Sequence, residues 1–116
     1  MIDFVVVLVT CGSEAEARRI AQALVRRRLA ACVNIFGTPV SSIYRWKGKV
    51  ERARETLLFI KSSKERLPAL RAAVTGLHSY DVPEIIALPV IAGSPAYLRW
   101  LDESLRAPRR PRAREK

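Results

Sequence analysis

The stretch Ser42-Ile-Tyr-Arg-Trp-Lys-Gly-Lys-Val-Glu51 decides the fold, because it has the pattern of a tight β-hairpin. Tyr44 and Trp46 alternate with bases, as expected of a strand whose two faces have different surroundings. Lys47-Gly48-Lys49 is the expected reversal, and Val50 to Ile60 returns as the partner strand. We expect a long hairpin whose distal half extends beyond what one layer of helices can cover.

A strand, a helix and a second strand precede this hairpin. Phe4 to Thr10 is apolar on both faces, which is typical of a central strand. Ser13 and Glu16 have the spacing of a capping box and start an amphipathic helix that reaches about Arg28. Ala31 to Ile35 is strand-like and leads, after a bend, into the hairpin.

A second helix and a last strand follow the hairpin. Ser62 and Glu65 offer another capping box, although Pro68 favours a later or irregular start of this helix. Ile85 to Ile91 is the last strand, and Pro89 within it has no backbone donor, which favours an edge position or a bulge.

The element order is therefore β-α-β-β-α-β, followed by a short C-terminal helix with Ser94 as its cap and Pro95 in its first turn. This order predicts an α+β protein with the ferredoxin-like split βαβ plan, in which both helices cover one face of an antiparallel sheet. The other face is then bare. Because valine and isoleucine occupy both sides of the strands, we expect this face to be covered by oligomerisation.

The chain has 116 residues and a formal net charge of +10, which we divide into one domain, residues 1–106, and a basic tail, residues 107–116. The segment from Arg106 to Lys116 carries six bases and one acid, hence half of the net charge, and its two prolines and self-repelling charge predict disorder. Such a tail can hold nucleic acid by counterion release, which is the alternative function. A solubilising end without a specific partner is the favoured interpretation.

The chain is predicted to be cytoplasmic and to have no membrane segment. Asp3 stands where a signal peptide would carry positive charge, and the apolar run Phe4 to Val9 is too short to span a bilayer. The two cysteines, Cys11 and Cys32, are far apart in sequence, which fits a reducing compartment and favours buried apolar thiols.

The sequence gives no sign of an enzyme. His78 is the only histidine and is distant in sequence from both cysteines, and the chain has no glycine-rich phosphate-binding motif. We predict no catalytic reaction and no organic cofactor. A reaction with Glu84 as base and Lys61 as electrophilic partner ranks last.

A metal site is the stronger chemical hypothesis. His78, Asp81 and Glu84 recur every three residues, so their side chains can converge in a turn-like loop. Copper favours imidazole and thiolate ligands, which adds Cys32 to the candidates. The alternatives are a hydrogen-bonded structural histidine and a buried core thiol. Tyr44 and Trp46 have two interpretations as well, a base-stacking platform for RNA or, as favoured, burial in a subunit contact.

Five spaced motifs together resemble the CutA family, also called the divalent-cation tolerance proteins. The resemblance runs from about Val5 to Leu105. The motifs are Leu29-Ala-Ala-Cys-Val33, Ser42 to Lys49 with Glu55, Ile60-Lys61, His78-Ser-Tyr80 with Pro83-Glu84, and Tyr97-Leu-Arg-Trp100.

The resemblance implies a tight homotrimer similar to the PII nitrogen-signalling proteins, with long hairpins that reach across to neighbouring subunits. It also implies a link to copper and other divalent cations, with metal or a small ligand bound at intersubunit clefts, and, in animal members, a link to membrane-enzyme anchoring. One departure is Ser79, where the family usually has proline after the histidine, which loosens the loop that would position His78.

Carried over position by position, the resemblance selects the candidate site residues, with Asp81 added from its spacing. The ligand-binding candidates are Tyr44, Trp46, Lys61, Tyr80 and Glu84. The metal-binding candidates, for copper or another divalent cation, are Cys32, His78 and Asp81.

Overall fold

The computed structural model describes residues 3–106, and the predicted tail at 107–116 lies outside this range. The described residues form five strands and three helices. They are β1 (Phe4–Cys11), α1 (Glu14–Arg26), β2 (Cys32–Ile35), β3 (Val40–Trp46), β4 (Lys49–Ser63), α2 (Leu67–Leu77), β5 (Ile86–Pro89) and α3 (Pro95–Leu105).

The strands form an antiparallel sheet in the order β2-β4-β1-β5, and β3 pairs with the first half of β4. Val7 lies opposite Ile60 on one side and Ala87 on the other, so β1 is central, as its two-sided apolar pattern predicted. Pro89 lies in the edge strand β5, where a missing donor costs no ladder bond. The predicted ferredoxin-like α+β fold is confirmed.

The hairpin β3–β4 projects from this sheet. Its register runs from Val40 opposite Glu55 to Trp46 opposite Lys49. Lys47 and Gly48 both have positive φ, 50° and 80°, which is the two-residue turn whose twist suits a hairpin. The reversal is therefore where the sequence predicted it, and the molecule is elongated, with extents of 63 × 30 × 25 Å.

The core lies between the sheet and the helices α1 and α2. Alternate residues of the central strands point into it and are fully buried, among them Val7, Val9, Leu58 and Ile60. Helix α1 contributes a matching stripe that includes Ile20. The helix layer therefore covers one face of the sheet only.

Within residues 3–106, the opposite face of the sheet is largely uncovered, as predicted. We call it the open face; its apolar members include Val6, Leu8, Leu57, Phe59, Ile86 and Leu88. Ile86 and Leu88 remain 49% and 46% exposed. Helix α3 covers one end, where Leu101 and Leu105 pack with Phe4 and Ala31.

One predicted helix cap, Ser62, is wrong, and another, Ser94, is right in position only. Strand β4 continues to Ser63, so Ser62 is a buried strand residue whose hydroxyl donates to the Leu29 carbonyl oxygen at 2.6 Å. Helix α2 begins at Leu67 without a side-chain cap, in keeping with the later start that Pro68 favoured. Ser94 is the N-cap residue of α3 and Pro95 follows it, as predicted, but the Ser94 side chain makes no capping hydrogen bond.

Helix α1 and the last strand are shorter than predicted. Helix α1 ends at Arg26 instead of about Arg28, because Arg28 takes a left-handed conformation with φ of 56° that ends the helix. The last strand covers only Ile86–Pro89. None of the helices within residues 3–106 has both the length and the apolar character needed to cross a bilayer.

Candidate functional site

A cleft of about 600 Å³ lies between the hairpin, from Glu55 at its base to Trp46 near its turn, and the loop after α2, residues 78–85. Its walls carry three aromatic and three acidic side chains, which are Tyr44, Trp46, Tyr80, Glu55, Asp81 and Glu84. Thr10, at the end of β1, lines it as well. The lining within the described residues holds no lysine or arginine, so its charged side chains are all carboxylates.

Tyr80 closes the inner end of the cleft. Its hydroxyl donates a hydrogen bond to Glu55 Oε2 at 3.0 Å, and its ring centroid lies 4.7 Å from that of His78. Burial, together with the Glu55 carboxylate, raises the pKa of Tyr80 to about 12. The backbone at Gly12 approaches the same hydroxyl so closely that a Cβ there would be 3.2 Å from it.

His78 lies beneath Tyr80 with a fully buried side chain. Its Nε2 is 2.8 Å from the Thr10 carbonyl oxygen, and because a carbonyl oxygen only accepts, Nε2 carries the proton. Its Nδ1 accepts a hydrogen bond from the Tyr80 backbone N–H at 3.0 Å. Both ring nitrogens are thus hydrogen-bonded, as in the structural interpretation of this histidine.

Glu16 reaches this histidine from the first turn of α1. Its Oε2 accepts a hydrogen bond from the Ser79 backbone N–H at 2.9 Å, and its Oε1 lies 3.9 Å from His78 Nδ1. Burial would raise the pKa of Glu16, but hydrogen bonds from Ser79 and the proximity of His78 outweigh it, so the pKa lies below 4.5. The carboxylate therefore anchors the loop after α2.

Cys11 completes a buried group of three potential ligands. One ligand atom each from Cys11, Glu16 and His78 lies within 4.8 Å of the others. The sequence did not signal this proximity, because the cysteine and the histidine are far apart along the chain. Burial, then the charge of Glu16 and Glu55, raises the pKa of the Cys11 thiol to about 12. Catalytic thiols have a lowered pKa and are accessible, so Cys11 is not an activated nucleophile.

The single chain does not bring Cys32 and Lys61 to the cleft. They lie opposite each other in the β2–β4 pairing, and the Lys61 ammonium donates to Asn34 Oδ1. Lys61 is six residues along β4 from Glu55, a distance of about 20 Å in an extended strand. Cys32 is half-buried near α3, where burial and this thiol raise the pKa of Tyr97.

The structure thus divides the eight candidates into three places. Tyr44, Trp46, Tyr80, Asp81 and Glu84 line the cleft. His78 lies below it and turns toward Thr10 and Glu16, while Asp81 and Glu84 face the cleft, so these three side chains do not form one cluster. Cys32 and Lys61 lie in the β2–β4 region of the open face. Their ligand roles stay predictions.

Sequence reasoning missed Cys11 and Glu16. A signal for Glu16 was available, because it lies four residues before Ile20 and so on the buried stripe of α1. Glu16 was assigned from the sequence to a capping box, and its side chain was therefore not placed on the buried stripe. Ser13 Oγ does accept the Glu16 backbone N–H at 3.2 Å, but the carboxylate turns to the loop at residues 78–79.

Comparison with known proteins gives a consistent result. The sequence model of the CutA1 divalent ion tolerance protein family matches residues 5–104. The divalent-cation tolerance protein CutA of Thermus thermophilus is 52% identical over 99 residues, which are 85% of this chain and 95% of the relative. Protein CutA of Mus musculus is 48% identical over 95 residues, 82% of this chain, and the match spans only 53% of the mouse protein.

Solved structures agree with the sequence relatives. The divalent cation tolerance protein (Cut A1) of Thermus thermophilus superimposes with a TM-score of 0.85 at 50% identity, covering 87% of this chain and 97% of the other. CutA1 from Oryza sativa gives a TM-score of 0.87 at 43% identity, covering 90% and 95%.

Proposed function

This chain belongs to the CutA1 divalent ion tolerance family, and on that premise we propose that it is a non-enzymatic homotrimer that binds divalent cations, copper among them, at clefts between subunits. The observation that carries the proposal is the composition of the cleft. Glu55, Asp81 and Glu84 line it, with no basic side chain among the described residues of its wall. Such a wall attracts cations, and carboxylate oxygens are ligands for divalent ions.

The trimer is supported by the open face. The apolar side chains there, including Ile86 and Leu88, are half exposed, and a contiguous apolar surface of this kind marks a contact site. The hairpin adds to it, since Ile43 and Val50 are also exposed. Three copies that cover one another's open faces would bury this surface and bring one subunit's hairpin to another's cleft.

Copper binding requires more than the cleft of one chain offers. Copper favours nitrogen and sulfur ligands, whereas the acidic groups of the cleft are oxygen donors. A neighbouring subunit that packs on the open face would approach Cys32, which is half-buried and free. We therefore propose Cys32 as the residue through which the assembled protein gains a preference for copper.

The absence of catalysis is also a proposal. It is supported by Cys11, the cysteine next to the only histidine, which is fully buried and whose pKa is raised to about 12. A nucleophilic thiol must be accessible to its substrate and have a lowered pKa.

Both cysteines are free, which supports a cytoplasmic location.

The test is calorimetric titration of the full-length protein with Cu²⁺ and Mn²⁺. Replacing two cleft acids, as in Asp81→Asn with Glu84→Gln, is expected to weaken Mn²⁺ binding at least tenfold. The matched control is Glu65→Gln with Glu103→Gln, two acids outside the cleft. Equal weakening by both pairs, or none by the cleft pair, would remove the cleft as the binding site.

The copper preference has its own variant. Cys32→Ser is expected to weaken Cu²⁺ binding while leaving Mn²⁺ binding unchanged, because Mn²⁺ has little affinity for thiolate. Cu²⁺ affinity unchanged by Cys32→Ser would contradict the role proposed for this thiol.

A further inference from the structure

The buried group Cys11, Glu16 and His78 joins three separate elements of the fold. Cys11 is the last residue of β1, Glu16 lies in the first turn of α1, and His78 follows the last residue of α2. One potential ligand atom from each lies within 4.8 Å of the other two, and all three residues are buried. Three different ligand types therefore converge at a point that the solvent does not reach.

Glu16 Oε1 is the atom that needs an explanation. It is buried and has no hydrogen bond partner among the described residues, and its side chain is only 8% exposed. His78 Nδ1 lies 3.9 Å from this oxygen, and its lone pair accepts the Tyr80 backbone N–H. A buried carboxylate oxygen without a donor is an atom that a cation can satisfy.

The surroundings hold these atoms in position as the outer shell of a metal site would. His78 Nε2–H donates to the Thr10 carbonyl oxygen, which fixes the ring and leaves Nδ1 as its acceptor nitrogen. The Ser79 backbone N–H holds Glu16 Oε2, which leaves Oε1 as the free oxygen. Ser13 caps the helix, but the Glu16 carboxylate bonds to the Ser79 backbone N–H and is not turned back to Ser13 as in a capping box.

We propose that Cys11 Sγ, Glu16 Oε1 and His78 Nδ1 form a buried site for a borderline divalent cation of the Zn²⁺ type, separate from the acidic cleft and independent of its function. Thiolate, imidazole and carboxylate are the ligand types of four-coordinate zinc, and the fourth position takes water. The thiol loses its proton to solvent on binding, so thiolate and carboxylate balance the two positive charges.

The geometry needs a small adjustment. Zinc bonds of about 2.0–2.3 Å place tetrahedral ligand atoms roughly 3.2–3.8 Å apart, so the three side chains must close by about 1 Å. His78 Nδ1 also exchanges the hydrogen bond from the Tyr80 N–H for the metal. Tyr80 is the cover of the site, because its ring lies on His78 and its other side lines the cleft. A cation therefore enters from the cleft when Tyr80 moves.

The test is a titration of the full-length protein with Co²⁺, a spectroscopic substitute for Zn²⁺. A thiolate ligand gives a sulfur-to-cobalt charge-transfer band, and a four-coordinate ion gives intense visible bands. We expect both bands in the wild-type protein and in Cys32→Ser, and loss of the charge-transfer band in Cys11→Ala. Circular dichroism reports whether Cys11→Ala is folded.

Two further variants separate this site from the cleft and from a folding defect. Glu16→Gln keeps the size of the side chain and is expected to weaken Zn²⁺ binding, measured by competition with Co²⁺, at least about tenfold. The cleft pair Asp81→Asn with Glu84→Gln should leave the charge-transfer band unchanged even if the cleft binds no metal at all. No charge-transfer band in the wild-type protein, or its loss in Cys32→Ser, would overturn the site and leave the group as a structural anchor of the loop.

Discussion

Replacing Tyr80 by phenylalanine tests how the loop after α2 is held over the buried group. The change removes one hydroxyl that donates to Glu55 Oε2 at 3.0 Å and leaves the ring in place on His78. Hydrogen bonds to charged groups contribute about 1.5–3 kcal/mol, and we take the lower end because Tyr80 is 37% exposed. The expected loss in the free energy of unfolding is therefore about 1.5 kcal/mol.

The assay is urea denaturation at fixed protein concentration and neutral pH, since oligomers unfold in a concentration-dependent way. With an m-value of about 1.5 kcal/mol per M, the midpoint should fall by about 1 M. Tyr44→Phe is the matched control, because Tyr44 lines the same cleft and is similarly exposed. Its effect should stay within about 0.5 kcal/mol.

The pH dependence gives this prediction a second readout. The pKa of Tyr80 rises from 10.0 to about 12, so folding favours the protonated phenol. That contribution is complete below pH 10 and is lost as the pH rises through 12. The difference between wild type and Tyr80→Phe should therefore shrink over this range. Equal effects of Tyr80→Phe and Tyr44→Phe, or a difference that persists above pH 12, would refute the reasoning.

Three other changes address the loop anchor, the open face and the core. Glu16→Gln should lower stability by about 1–2 kcal/mol at pH 7, because it weakens a charge-assisted hydrogen bond. The pKa of Glu16 lies below 4.5, so this contribution is lost as the pH falls through the folded pKa. The urea midpoints of wild type and Glu16→Gln should therefore converge in acid. A difference between the two midpoints that stays constant with pH would contradict the role of Glu16 as an anchor. Leu88→Glu on the open face should dissociate the proposed trimer in light scattering, whereas Val25→Glu on α1, of similar exposure, should not. Ser62→Ala should cost about 1–2 kcal/mol through the unpaired carbonyl it leaves, against a negligible effect of Ser41→Ala on the exposed hairpin.

The order of the elements was predictable from the sequence because buried apolar residues recur with the period of a helix or of a strand. The two-sided apolar run of β1 does lie at the centre of the sheet, and the Lys47-Gly48 turn has the positive φ angles that its composition favours. The open face followed from the same reasoning, since helices on one side leave the other uncovered. These are consequences of local pattern and layer geometry.

The capping prediction at Ser62 failed because a distant partner competed with a local one. Ser62 has the right spacing to Glu65, but Val5 of β1 pairs with it and extends β4 through this position. Its hydroxyl then donates to a carbonyl oxygen 33 residues away. A capping box is a local signal, and it carries no information about a strand that pairs from elsewhere in the chain.

The site was predictable only in part for a similar reason. The cleft residues came from recurrent motif positions and, for Asp81, from spacing, whereas Cys11 and Glu16 reach His78 only through the packing of β1, α1 and the loop after α2. Lys61 could have been separated from His78 by strand alternation alone. It follows the buried Ile60 and must therefore lie on the opposite face of the sheet from the helices.

The central claim is that copies of this chain cover one another's open faces and thereby complete the clefts. Sedimentation velocity of the full-length protein in dilute buffer measures this directly. A single species with three times the 13.0 kDa mass of one chain is the predicted result. A folded species that sediments with the mass of one chain, with the open face in contact with water, would contradict it.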